Sequence, residues 1–157
     1  GLDLGRMAKN FEQGKVVEIE LANGLFTYGV VVSNPLIAFS GSFYQSPQVV
    51  SESLFGNIGF QIWVMKYALG SKGWPKVGSI DISKLDLAEP EFYKFDQIAK
   101  SFSIVKSGVE VQATREDCLN LECAAVWDKT HVEDRLIALS EDRSCKWSMS
   151  LLANSRA

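Results

Sequence analysis

Residues 15–32, KVVEIELANGLFTYGVVV, constrain the fold of this chain most, because they predict a single antiparallel β-hairpin. Apolar and polar residues alternate up to Asn23 and Gly24, and this pair tolerates the positive φ angles of a two-residue type I′ turn. That turn sets the cross-strand pairs Ala22–Leu25, Leu21–Phe26, Ile19–Tyr28, Val17–Val30, Glu20–Thr27 and Glu18–Gly29. One face of the hairpin is then apolar, so we expect the hairpin to lie on a hydrophobic core.

Further strands are expected along most of the chain. Alternation or enrichment in β-branched and aromatic residues predicts strands at residues 36–39, 60–67, 77–82, 101–105, 109–113, 121–127 and, in the tail, 144–157. A second hairpin is expected where Lys106, Ser107 and Gly108 connect two of these strands. Residues 85–100 have no clear period and are expected to be irregular.

Two helices are expected as well. Ser46 as a cap and Pro47 in the first turn predict a helix that ends at Gly56. Thr130 and Glu133 predict a capping box at the start of the second helix. Its apolar stripe consists of Val132, Leu136 and Leu139. The expected fold class is therefore mostly β, of the α+β type: an antiparallel sheet, a sandwich or a partly open barrel with one or two helices.

The length of 157 residues fits a single domain, which we expect to span residues 7–157. Met7 is a candidate native start, and residues 1–6 are then an expression remnant outside the fold. The longest apolar run is far shorter than the roughly 20 residues of a membrane span, and the first ten residues lack the pattern of a secretory signal. The three cysteines, an odd number, do not form a disulfide framework, so a reducing cytoplasm is the expected location.

The charge is distributed unevenly. Residues 81–142 carry 14 Asp and Glu against seven Lys and Arg, whereas the whole chain has a net charge of −3. An acidic half argues against direct nucleic-acid binding and is compatible with a basic protein partner. The alternative is a solvated face that keeps the protein soluble.

A single histidine, His131, limits the chemistry that the chain can perform. A two-metal hydrolase needs several histidines, and a zinc site of His131 with Cys118, Cys123 and Cys145 would lack a CxxC pair. The glycines of GSKGWPKVG, residues 70–78, lack the order of a phosphate-binding loop. We therefore expect no catalytic residues, metal ligands or cofactor. Trp74 in that loop is either a core anchor, which is favoured, or an exposed binding residue.

Three stretches carry a family resemblance. LANGLFTYGVVV, residues 21–32, matches an opening glycine and aromatic pattern at Gly24, Tyr28 and Gly29. The second stretch is GWPKVGSIDI, residues 73–82, which is similar to a Trp-x-x-Gly loop of the family; the tripeptide PEF at residues 90–92 adds to this similarity. The third stretch is AAVWDKTHVEDRL, residues 124–136. In this order they resemble the twenty-sixth immunity family of bacterial polymorphic-toxin systems, of the contact-dependent inhibition type.

The resemblance implies a protein that binds the C-terminal domain of a cognate toxin and blocks it in the cytoplasm, as a monomer or in a 1:1 complex, without catalysis. A basic nuclease is the toxin expected to fit the acidic half. The resemblance supplies no contact residues. Physical reasoning selects the exposed groups of the second predicted helix and its lead-in as the partner-binding residues: Glu122, Asp128, His131, Glu133, Asp134 and Arg135. Their alternative role is an ordinary solvated helix face. Two other functions stay open: a small hydrolase of the phosphotriesterase type, to which the resemblance is also linked, and a protein-binding scaffold.

Overall fold

The computed structural model describes residues 10–156, which fall into two units that are each described by themselves. The first unit contains residues 10–87 and 126–143, and the second contains residues 88–125 and 144–156. The proposed remnant at residues 1–6 lies outside the described residues. A single domain over residues 7–157 stays a prediction.

The first unit is built on a six-stranded sheet. Its strands are β1 (Lys15–Glu20), β2 (Phe26–Val31), β3 (Leu36–Ser40), β4 (Ile58–Val64), β5 (Lys76–Ser79) and β10 (Val126–Trp127). They lie in the order β10-β4-β3-β2-β1-β5, and all neighbours are antiparallel except β10 and β4, which are parallel. A helix, α2 (Lys129–Ser140), follows β10 directly, and short 3₁₀ helices lie at Glu52–Phe55, Lys66–Leu69 and Ile82–Lys84.

The first hairpin is present, but its predicted register is wrong by one residue. Val16 pairs with Val30 and Glu18 pairs with Tyr28, so the loop contains three residues rather than two. Within this loop only Gly24 has a positive φ, +86°, and its N–H donates to the carbonyl of Leu21 at 2.9 Å. The Asn23 side chain accepts from the N–H of Leu25 at 3.2 Å, which favours this longer loop over the type I′ turn.

Both faces of the central strands in this sheet are buried. On the first face, Tyr28 and Val30 pack with Leu54 and Phe55 of the segment that follows β3. On the second face, Phe39 lies 5.2 Å from the ring of Phe60 and 5.7 Å from that of Trp74. The expectation that the hairpin lies on a core is therefore confirmed, and the core extends to two sides of the sheet.

The second unit contains a four-stranded sheet in the order β8-β7-β6-β9. Its strands are β6 (Phe92–Asp96), β7 (Ser101–Lys106), β8 (Val109–Ala113) and β9 (Glu122–Cys123), with the short helices α1 (Arg115–Cys118) and α3 (Lys146–Ser150) and a 3₁₀ helix at Ala153–Ser155. The predicted second hairpin is confirmed, since β7 pairs antiparallel with β8. Ser107 and Gly108 have φ angles of +52° and +76°, so the type I′ turn is found here.

A buried tyrosine ties the tail of the chain to the second sheet. Tyr93 is fully buried, packs with Phe102, Cys118 and Ala153, and donates its hydroxyl proton to the carbonyl of Leu151. Arg115 of α1 also donates to the carbonyl of Ala153, at 3.1 Å. These contacts hold the tail against the core of the second unit.

Four predicted elements are wrong. Residues 46–56 contain only the 3₁₀ helix Glu52–Phe55, because Tyr28 binds the N–H of Gln48 and holds the preceding segment in an irregular path. Residues 85–100, expected to be irregular, contain β6, in which Phe92 and Tyr93 are both buried and so show no alternation. Residues 121–127 form two short strands in different sheets, and the tail at 144–157 contains no strand within its described part.

The predicted capping box at the start of α2 is also wrong. The N-cap is Asp128, and its side chain makes no capping hydrogen bond. A capping box is present in α1, where Thr114 and Asp117 bond to each other's backbone N–H groups at 3.3 and 3.0 Å.

The expectation of a mostly β fold is confirmed, with two mixed sheets, neither of which closes into a barrel within residues 10–156. Within the same part of the chain, each helix is too short or too polar to cross a bilayer.

Candidate interaction surface

Five of the six predicted contact residues lie in helix α2 or at its N-cap, Asp128. Val132, Leu136 and Ala138 face the core and fix the orientation of the helix, whereas Leu139, predicted on the same stripe, is 41% exposed. The parallel pairing of β10 with β4 fixes the start of the helix, because Trp127 lies beside Val64. The side chains of the opposite helix face therefore have a defined position on the first unit.

Glu133 is occupied inside the unit. Its Oε2 accepts from the indole N–H of Trp74 at 2.9 Å and from the Nζ of Lys129 at 2.9 Å. Trp74 is 4% exposed, so the prediction that it anchors its loop is confirmed. Glu133 thus holds the loop of residues 70–75 against α2, and we expect it to support the surface without binding a partner.

Arg135 lies over two aromatic rings. Its guanidinium carbon is 3.9 Å from the centroid of Phe60 and 5.1 Å from that of Trp127. Such stacking is a favourable cation–π contact that fixes the position of the guanidinium group. Arg135 is half-buried and combines apolar contact with a fixed charge.

Asp128 and His131 are half-buried at the start of the helix. The Oδ2 of Asp128 accepts from the hydroxyl of Thr130 at 3.0 Å, and its Oδ1 is buried without a hydrogen-bond partner. A carboxylate at a helix N-terminus is stabilised by the helix dipole. We therefore expect Asp128 to be important for the helix start.

Asp134 is exposed on α2, and a second acidic group lies past the end of the helix. Arg143 donates to Glu141 at 2.8 Å, and this hydrogen bond holds the pKa of the Glu141 carboxyl below its ordinary value. Asn23 of the first hairpin donates to the hydroxyl of Ser140 at 3.1 Å, so the hairpin loop lies next to this end of α2. Glu141 is not among the residues predicted from the sequence, although a charged residue at a helix end is visible there.

Glu122 belongs to a different unit from the other five residues. It lies in β9 of the second unit and pairs with Phe92 of β6. The structure therefore groups Asp128, His131, Glu133, Asp134 and Arg135 on one element and places Glu122 on another unit.

The second unit presents further surface features that the sequence does not predict. The turn between β6 and β7 is fixed by the Oδ1 of Asp96, which accepts from the N–H groups of Ile98 and Ala99 at 2.8 and 3.1 Å. The Ile98 side chain is 96% exposed on this turn. A shallow concavity of about 580 Å³ lies beside it, lined among others by Lys94, Ser103 and Gln112. Only the tertiary structure brings these groups together.

The cysteines and the acidic residues do not assemble into a metal site among the described residues. No group of three or more His, Cys, Asp or Glu side chains there is close enough to hold an ion. All three cysteines are free, and burial raises the pKa of the Cys118 thiol, which keeps it protonated and unreactive. The expectation that the chain needs no metal or cofactor stays a prediction.

Comparison with known proteins gives one family. The family model described as Immunity protein 26 matches residues 12–104, more than half of the chain. The matched range contains the first two stretches of the resemblance and ends within β7, whereas the third stretch and α2 lie beyond it. No curated protein and no solved structure matches the chain.

Proposed function

Because the chain belongs to the Immunity protein 26 family, we propose that it binds the C-terminal domain of a cognate bacterial toxin and neutralises it by covering its active site. The family match is the observation that carries this proposal. The protein acts in the cytoplasm, in a 1:1 complex and without catalysis of its own. The toxin class that best fits the acidic charge of residues 81–142 is a nuclease with a basic groove.

The proposed contact surface is the outward face of α2 together with its C-terminal end. Asp134 and Glu141 supply exposed negative charge, and Arg135 supplies a guanidinium group held over aromatic rings. Glu133 and Asp128 support this surface from inside the unit. Glu122 is a separate candidate contact on the second unit.

The test uses the toxin domain encoded beside this gene, produced as a catalytically inactive variant. We expect the double substitution Asp134→Lys and Glu141→Lys to slow association about tenfold at low salt and to flatten its salt dependence, because charge complementarity acts mainly on the encounter rate. Rates would be measured by stopped-flow fluorescence at low and high ionic strength. Glu12→Lys and Glu20→Lys together form the matched control, since both residues are exposed and acidic but lie outside residues 81–142.

These experiments test the contact surface on α2 and the neutralising function independently. Unchanged rates in the α2 variant would refute α2 as the electrostatic contact, although toxin binding itself could persist. No binding of the wild-type protein to the toxin, and no protection of cells that express it, would refute the neutralising function. Metal-dependent turnover of a phosphotriester by the purified protein would refute the absence of catalysis.

A further inference from the structure

Strand β8 is an open edge of the second sheet. Within the described residues it pairs only with β7, and its residues Val109, Glu110, Val111 and Gln112 are all exposed. Val109 and Val111 are each 61% exposed, a large value for valines in a strand. An edge with unpaired backbone groups and apolar side chains is a template for the addition of another strand.

The other edges of the two sheets are protected better than β8. Strands β9 and β10 contain two residues each, and β5 has four residues, a register shift against β1 and an exposed Lys76. Short strands, lysines and bulges are the usual devices that prevent edge pairing. Strand β8 has five residues and contains neither proline nor lysine. Its one charge, Glu110, accepts from the Ser103 hydroxyl at 2.7 Å and from Lys94 at 3.3 Å.

The turn before β8 determines which backbone groups point outward. Lys106 and Val109 flank the two-residue turn, so they form a hydrogen-bonded pair, as Val111 does with Ile104. The backbone groups of Glu110 and Gln112 therefore point away from β7. They offer two donors and two acceptors to an additional strand.

We propose that this edge pairs with β8 of a second copy of the chain, antiparallel and with the two-fold axis at Val111. In this register, Glu110 of each copy bonds to Gln112 of the other through the backbone, and the two Val111 side chains meet. Val109 falls opposite Ala113. The pairing buries apolar side chains on one face and places an amide beside a carboxylate on the other.

Charge favours this register over the one in which the two-fold axis passes through Glu110. A two-fold axis at Glu110 would place two carboxylates directly opposite each other, which is destabilising. With the axis at Val111, Glu110 of each copy lies opposite the neutral Gln112 of the other, so no carboxylates face each other. A second copy is therefore a complementary occupant.

The interface is small, because each copy contributes a five-residue strand. Interfaces below about 1,200 Å² are typical of weak association. We expect a dimer that forms at high protein concentration, with a dissociation constant on the order of 10–100 µM. The dimer uses only the second unit and does not depend on the proposed toxin.

Cysteine cross-linking of the purified full chain tests the register. In the proposed dimer the two Val111 Cα atoms form a non-hydrogen-bonded pair about 4.5 Å apart, which is close enough for a disulfide. The two Val109 Cα atoms are about 14 Å apart, which is too far. Under mild oxidation we expect Val111→Cys to form covalent dimers at least about tenfold faster than Val109→Cys, and the three native cysteines contribute equally to both.

Sedimentation equilibrium provides the second measurement. The wild-type protein is expected to dimerise with increasing concentration, and Val111→Lys, which brings two ammonium groups together, is expected to remain monomeric. Val49→Lys, at an 89% exposed valine of the first unit, is the matched control and should dimerise like the wild type. A wild-type protein that is monomeric at about ten times the expected dissociation constant, together with equal cross-linking rates, would overturn the proposal. Hydrogen-exchange protection of β8 only after toxin addition would also overturn it, since the edge would then receive a toxin strand.

Discussion

The hydroxyl group of Tyr28 holds the irregular segment after β3 onto the sheet, and its removal should cost stability. Tyr28 is fully buried, donates to Oε1 of Glu18 at 2.8 Å and accepts from the backbone N–H of Gln48 at 2.6 Å. Tyr28→Phe keeps the ring and removes both hydrogen bonds. The N–H of Gln48 then loses the acceptor that it has in the native structure.

The expected cost follows from these two bonds. A hydrogen bond to a charged group contributes about 1.5–3 kcal/mol, and an unsatisfied buried N–H costs about 1–3 kcal/mol. Glu18 is only half-buried and can bind water instead, which returns part of the loss. We therefore expect the free energy of unfolding to fall by about 2–3 kcal/mol, which corresponds to a decrease in Tm of about 4–12 °C for a chain of this length.

Tyr28 should also make the stability of the protein depend on pH. Burial raises the pKa of Tyr28 to about 12 from an ordinary value of 10.0, so the folded protein favours the protonated phenol. The stabilisation is fully present below pH 10, where both states are protonated, and it is lost as the pH rises through about 12. The difference in stability between the wild type and Tyr28→Phe should therefore shrink above pH 10.

Urea denaturation at pH 7, 9, 10 and 11, followed by tryptophan fluorescence, measures both effects. Tyr44→Phe is the matched control, because Tyr44 packs edge-on against Tyr28 and bonds to Phe26 through its backbone. This control should change stability by less than about 0.5 kcal/mol. A loss below about 0.5 kcal/mol in Tyr28→Phe, or a stability difference that does not change with pH, would refute the reasoning.

Two further substitutions test the packing of the first unit. A Cβ atom at Gly29 would lie 3.2 Å from side-chain atoms of Ile37 and Phe39, so Gly29→Val should lower the free energy of unfolding by about 1–3 kcal/mol in urea titrations, and Gly29→Ala by less. Trp74→Phe removes the indole N–H that binds Glu133 and should lower the free energy of unfolding by about 1–3 kcal/mol. Glu133→Gln is the control, because its amide oxygen can still accept that N–H. A decrease of similar size in Glu133→Gln would contradict the role of this hydrogen bond.

The two hairpins show what the sequence could and could not predict. The alternation of residues 15–32 identifies the strands of the first hairpin, yet the Asn23-Gly24 signal selects the wrong turn, because the side chain of Asn23 bonds to the N–H of Leu25 and lengthens the loop. The second hairpin has the predicted strands, but its turn contains only Ser107 and Gly108, because Lys106, predicted to lie in the connection, pairs with Val109. Strand identity follows from local composition, whereas register depends on single side-chain bonds.

The capping signals lead to the same conclusion. The pattern of Thr followed three residues later by an acidic residue occurs at Thr114 and at Thr130, and only Thr114 forms a capping box. The Glu133 carboxylate instead accepts a hydrogen bond from Trp74, which is 59 residues away in sequence. A contact of that separation overrides a local preference worth about 1 kcal/mol, and nothing in the local sequence predicts it. The candidate surface was therefore predictable as an element but not in the roles of its individual residues.

The order of the two units along the chain has a consequence for biosynthesis. The first unit is interrupted, since residues 88–125 of the second unit lie between β5 and the strand β10 that completes the six-stranded sheet. At about 5–20 residues per second, the ribosome needs roughly 3–11 s to proceed from residue 87 to residue 143. During that interval β4 is an edge strand and Phe60 lacks Arg135. A nascent chain of this protein is thus exposed to aggregation until residues 126–143 have emerged, and a fragment limited to residues 12–104 is expected to behave like that unfinished chain.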